Sequence, residues 1–159
     1  DSKKKIIILS SILIFLVVAK INAQTFGYNL QTSSLTFDYS TLANYTTPRT
    51  ITKAFTLSIN NSNRGKYNVF CKIMVNSSLS IATTPTSLFS VKVNSANFTI
   101  NSSYYQAKNI GLSDVLVGNV TGRGGRSDTI YYDLILNPIG LNYEPDNYNY
   151  SFMFTVSEY

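Results

Sequence analysis

Tyr148-Asn149-Tyr150-Ser151-Phe152-Met153-Phe154-Thr155-Val156-Ser157 is the stretch that decides the fold. Tyr148, Tyr150, Phe152, Phe154 and Val156 fall on one side of a two-residue repeat, with Asn149, Ser151, Thr155 and Ser157 on the other. A strand sends successive side chains to opposite faces, so this run predicts a β-strand with its large apolar face turned to a core. A slip of one residue would turn five large side chains to solvent, so a partner strand must hold the register firmly.

The same period recurs upstream. Leu35, Phe37 and Tyr39 alternate with Thr36 and Asp38, and Phe55, Leu57 and Ile59 alternate with Thr56 and Ser58. Tyr67, Val69, Cys71, Ile73 and Val75 continue the pattern, with Phe70 and Met74 on the other face, as expected of a strand that is central or covered on both sides. Phe89, Val91 and Val93 follow, then Phe98 and Ile100, Val115 to Val120, and Ile130, Tyr132, Leu134 and Leu136. Between them lie Asn60-Asn61-Ser62-Asn63-Arg64-Gly65, Thr83-Thr84-Pro85, Gly122-Arg123-Gly124-Gly125-Arg126 and Asn137-Pro138-Ile139-Gly140, residues that favour turn backbone angles. About seven to nine strands at such spacing predict an all-β sandwich, favoured over a barrel. One short turn of helix is expected near Ser103 to Lys108. No repeat of 20 to 50 residues and no linker is seen, so residues 24–159 read as one domain.

Lys3, Lys4 and Lys5 precede an apolar run from Ile6 to Ala19, then Lys20-Ile21-Asn22-Ala23-Gln24. The layout is that of a signal peptide, residues 1–23, cut after the small Ala23. A bilayer span needs roughly 20 apolar residues, and this run falls short, so contact with a membrane is expected only through the signal before cleavage. The protein is therefore expected to be secreted or at the cell surface. Taking four lysines and Asp1 from the 13 basic and 8 acidic residues leaves 9 and 7, so the formal charge of +5 falls to +2. Nucleic acid calls for a concentrated basic face, and none is expected here.

The chain has no His and a single Cys. That removes His-activated nucleophiles, His-ligated zinc and any intramolecular disulfide. Cys71, in phase with Val69 and Ile73, reads as core filler rather than a reactive thiol. Two carboxyl groups suffice for glycoside hydrolysis, which makes Glu144, Asp146 and Asp133 the acids to weigh. The first two sit in an apparent loop, which could also offer calcium oxygen ligands, and Asp133 faces away from Tyr132 and Leu134. Solvated side chains are expected for all three, with no catalytic residue, no metal and no cofactor.

Residues for contact with a ligand or partner are Arg123 and Arg126, which flank flexible glycines able to cradle an anion, and Tyr131 and Tyr143, which could stack on sugar rings. The glycine stretch lacks a following Lys-Ser or Lys-Thr and opens no helix, so a hairpin or mobile loop is the expectation, not a P-loop. Tyr104-Tyr105 likewise sits off any evident core face. Asn44, Asn60, Asn76, Asn97, Asn101, Asn119 and Asn149 each begin an Asn-x-Ser/Thr acceptor sequence, which a composition this rich in Asn, Ser and Thr also produces unselected.

From Tyr131-Tyr132-Asp133-Leu134 through Glu144-Pro145-Asp146-Asn147-Tyr148 to Phe152-Met153-Phe154-Thr155-Val156, about the last 30 residues resemble the ends of secreted bacterial pilin-like and spore-coat-U-like sandwich domains. There too a closing strand follows a turn and ends near an aromatic, here Tyr159. This chain lacks that family's pair of cysteines, and no Gly begins its last strand. The resemblance implies an Ig-like sandwich and a structural role, with a sheet edge that accepts or donates a strand to a second copy or another surface protein. Gln24 to Gln31 would be the donor, through Phe26, Tyr28 and Leu30; as an ordinary first strand the same residues would serve their own sheet. The function expected is a non-enzymatic structural or adhesion protein, with a carbohydrate-binding module as the alternative and a glycan as its partner.

Overall fold

The computed structural model of the chain describes residues 25–76, 85–140 and 148–159. The expected signal segment, the turn at Thr83-Thr84, and Tyr143, Glu144 and Asp146 lie outside the described residues.

Eight strands form among the described residues: β1 Gly27–Thr32, β2 Arg49–Asn60, β3 Tyr67–Val75, β4 Phe89–Ala96, β5 Lys108–Ile110, β6 Val115–Val120, β7 Ser127–Leu136 and β8 Tyr150–Glu158. They make two antiparallel sheets, one of five strands ordered β1-β2-β7-β4-β5 and one of three ordered β6-β3-β8. The all-β sandwich read from the alternation is the fold observed. The expected helical turn is a 3-10 turn at Ser102–Tyr105, capped by the Asn101 carboxamide oxygen, which accepts from Ser103 N at 2.9 Å.

The core lies between the inner faces. Phe55, Leu57 and Ile59 of β2, Ile130, Tyr132 and Leu134 of β7, and Val91 and Val93 of β4 meet Val69, Cys71 and Ile73 of β3 and Phe154 and Val156 of β8. Aromatic rings stitch the sheets together: Phe55 stands 5.0 Å from Phe154 and 5.2 Å from Phe152, and Tyr132 5.3 Å from Phe154. Each such side chain contributes about 1.5–3 kcal/mol by burial, and tilted ring pairs add about 0.5–1.5 kcal/mol. The Cys71 thiol is fully buried here, as its phase foretold. Of the two readings left open for β3, central placement is the observed one. It runs between β6 and β8, while Phe70 is half-buried and Met74 exposed on its outer face.

Two expectations are corrected, and one short helix is added. Leu35, Phe37 and Tyr39 alternate as a strand would, yet residues 33–40 join no ladder. They form a strap whose apolar side chains pack on the core and whose rings cover Arg49: its guanidinium carbon lies 5.3 Å from the Phe37 centroid and 4.7 Å from that of Tyr39. The Arg49 Nε and Nη2 donors are buried without an oxygen acceptor and have these ring faces as neighbours, while Nη1 donates to the Asp38 carbonyl. Apolar alternation thus reports burial on one side and leaves backbone pairing undetermined. A four-residue helix, α1 at Ala43–Thr46, is a single turn, too short for a periodic signature.

Asp133, expected in solvent, is buried. Its side chain points outward from the core, as the alternation implies, but β2 bulges over it. Between the pairs Ile51–Leu134 and Phe55–Tyr132, three β2 residues stand opposite Asp133 alone. The carboxylate turns into that bulge, where Oδ1 accepts from Lys53 N at 2.9 Å and Oδ2 lies 3.8 Å from Lys92 Nζ.

Candidate functional site

The strands among the described residues leave four sheet edges, β1, β5, β6 and β8, and an edge offers unpaired backbone to another chain unless something blunts it. β5 is three residues long. β6 has six residues and a register shift against β3 at Val69/Phe70. β1 also has six. β8 differs from all of them: nine residues, one unbroken register with β3 from Tyr67–Glu158 to Val75–Tyr150, no Lys, Arg or Pro, and a single charge, Glu158, at its end.

The direction of its free groups follows from pairing parity. Asn76 N donates to Asn149 O at 2.8 Å and Tyr159 N to Lys66 O at 3.2 Å, so odd-numbered residues of β8 exchange bonds with β3. The N–H and C=O groups of Phe152, Phe154, Val156 and Glu158 therefore point to the open side, where no other strand pairs with them among the described residues. The start of β8 borders a cavity of about 300 Å³ lined by Leu35, Phe37, Tyr39, Tyr148, Tyr150 and Phe152. A long edge, unpaired among the described residues, thus adjoins a groove of mixed polar and apolar surface.

The segment singled out for strand exchange occupies its own sheet. Gly27 to Thr32 pair in register with Asn60 to Phe55 of β2. Phe26 packs 6.3 Å from the Tyr67 ring, Leu30 is half-buried opposite Leu57, and Tyr28, opposite Ile59, is exposed at the sheet margin. Here these residues form the ordinary first strand.

Arg123 and Arg126 are parted by the structure. The Arg123 guanidinium turns inward: Nε lies 2.8 Å and Nη2 2.7 Å from Asp128 Oδ1, with Phe98 beneath it at 4.9 Å. Asp128 Oδ2 accepts from Tyr67 OH at 2.8 Å and Asn61 Nδ2 at 2.7 Å. Arg126 stays exposed, and its carbonyl receives Asn61 N at 3.0 Å and Nδ2 at 2.9 Å. The glycines have a structural use, since Gly65 O accepts from Arg123 N at 3.1 Å and Ser62 O from Gly125 N at 3.0 Å, which zips two loops together. Asp128 and Asn61 escaped the sequence reading. The available signal was an acid five residues beyond an Arg at the mouth of a strand, which resembles any polar turn.

Tyr131 is half-buried on the outer face of the five-stranded sheet, with Lys53 Nζ 4.9 Å from its ring centroid. Tyr104 is buried and Tyr105 exposed. Among the described residues, no three of His, Cys, Asp or Glu come close enough to hold a metal, and no helix is long and apolar enough to cross a membrane.

Burial pushes the Cys71 thiol up to about 12 and raises the Tyr67 and Tyr132 hydroxyls far above their ordinary value, Tyr67 further through its hydrogen bond to Asp128. Linkage fixes the sign. The unfolded thiol releases its proton near 9.0 and the folded one near 12, so this stabilisation is complete below 9 and is lost as pH rises to 12, by at most about 4 kcal/mol. The expected outcome is a urea midpoint that falls steadily above pH 9, with the Cys71→Ser variant less sensitive over the same interval. A flat wild-type midpoint from pH 9 to 11 would contradict it.

No family model matches the chain, and no curated protein matches it significantly.

Proposed function

We propose that this chain is a secreted or cell-surface structural or adhesion subunit, without enzymatic activity, that associates by adding a strand at β8. The observation that carries the reading is the β8 edge, unpaired on one side among the described residues: nine residues in regular register, free of cations, prolines and bulges, beside a groove of mixed polar and apolar surface. Natural sheets usually blunt such an edge, because backbone groups in a row template another strand. An incoming extended segment gains affinity from hydrogen bonds to Phe152, Phe154 and Val156 and selectivity from alternate side chains in the groove. The export layout and the absence of His in the sequence point the same way.

Light scattering on residues 24–159 across concentration, with and without a peptide copying Gln24 to Gln31, tests this directly. The expected result is mass growing with concentration, or a one-to-one complex with the peptide. Val156→Pro removes a donor on the open side and none from the β3 ladder, so it should keep the fold and abolish association. A monomer at every concentration that ignores the peptide, or association unchanged in the proline variant, would overturn the reading.

A further inference from the structure

The outer face of the five-stranded sheet carries a second, independent feature. Both neighbours of β7 are irregular at the same level. On one side Thr52, Lys53 and Ala54 stand opposite Asp133; on the other, Asn94 is the extra residue between Val93–Tyr132 and Ser95–Tyr131. Bulges re-aim side chains and concentrate next to binding sites. At the first of them Lys53 has φ +51°, a left-handed backbone that a residue with a Cβ rarely adopts. Asp133 holds it there by accepting the Lys53 N–H. An outward-facing carboxylate is thus buried in the sheet to keep one lysine in a strained conformation.

That conformation sets the Lys53 ammonium over Tyr131. Cation–π attraction fixes the charge, so less side-chain entropy is lost when a ligand meets it. Lys92 stands on the opposite side of β7, two strand spacings or about 10 Å away. Its charge is offset by Asp133 at 3.8 Å, whereas Lys53 makes no ion pair among the described residues and is the surplus charge. Thr56 and Ser95, both in register with Tyr131, add neutral hydrogen-bonding groups. The face is open and lies apart from the cavity beside β8. A small molecule would be little buried on it, and an exposed ion contact alone is weak, so the fitting ligand is a polymer that repeats its charge.

We infer that this face, centred on Lys53 and Tyr131 and bordered by Lys92, binds an anionic polysaccharide, a carboxylate or sulfate of one sugar meeting Lys53 while hydroxyls of the neighbouring sugars meet Thr56 and Ser95. It is independent of strand addition at β8 and can fail without it.

Affinity electrophoresis through gels holding polygalacturonate, dextran sulfate or neutral dextran is the test. The expected result is retardation by one or both polyanions, which tells carboxylate from sulfate, and none by dextran. Lys53→Gly suits the left-handed backbone, so it should leave the thermal midpoint unchanged or higher while weakening binding about tenfold. Tyr131→Ala should weaken it as well, and Lys66→Gln, which removes an exposed cation elsewhere, should not. No retardation by either polyanion, equal retardation by dextran, or equal loss in Lys66→Gln would overturn the inference. So would capture of duplex DNA by the wild type and Lys53→Gly alike with the same strength as the polyanions, which would mean bulk charge attraction.

Discussion

Asp128→Ala is expected to lower the unfolding free energy by about 3–5 kcal/mol, close to the whole stability of a marginal domain. Four donor groups converge on this one buried carboxylate: Arg123 Nε and Nη2, Asn61 Nδ2 and Tyr67 OH. Removing the acceptor strands the Arg123 and Tyr67 donors and leaves Asn61 Nδ2 only its bond to the Arg126 carbonyl; the largest cost is the Arg123 charge, only 19% exposed and left without its counter-ion. Asp128→Asn keeps an acceptor for Tyr67 but not the charge, so it should fall between wild type and Ala. Adding Arg123→Met to Asp128→Asn should recover part of the loss, because absence of both charges is cheaper than one unpaired. Urea unfolding followed by tyrosine fluorescence, in a chain with no Trp, measures the series. A double variant less stable than Asp128→Asn alone would contradict this account of the pair.

The same network shows where reading the sequence stops. Alternation reached the strands because it records which side meets the core, and the phases of Cys71, Tyr132 and Phe154 were legible for that reason. Pairing was less so. Leu35, Phe37 and Tyr39 carry a strand's alternation without a ladder, since a strap lying on a core needs one apolar side and no neighbour. Asp133 was placed on the correct face, but its burial depends on extra residues in β2, eighty positions away, and bulges leave no period. Arg123 and Arg126 look equivalent in the chain, while Asp128 and Phe98 draw one inward and leave the other in water. The candidate edge at β8 was half visible. Its composition could be read directly, but only the sheet order tells that β3 pairs it on one side and no described strand on the other.

Gly65→Ala should be nearly as damaging as loss of Asp128, by a different cause. A Cβ on Gly65 would lie 1.9 Å from Gly124 N and 2.6 Å from Arg123 C, both main-chain atoms with no rotamer to escape into. The residue also has φ +61°, which costs an L side chain about 1–2 kcal/mol before any contact is counted. Overpacking adds about 1–3 kcal/mol, so a total near 3 kcal/mol is expected. The loops must part to relieve it, and they are joined by the bonds from Arg123 N to Gly65 O and from Gly125 N to Ser62 O. Parting them moves Arg123 relative to Asp128, so the two lesions overlap. Combined with Asp128→Ala, Gly65→Ala should therefore cost less than the sum of the separate effects, and strict additivity in the unfolding series would show that the loop contact and the buried charge pair are independent.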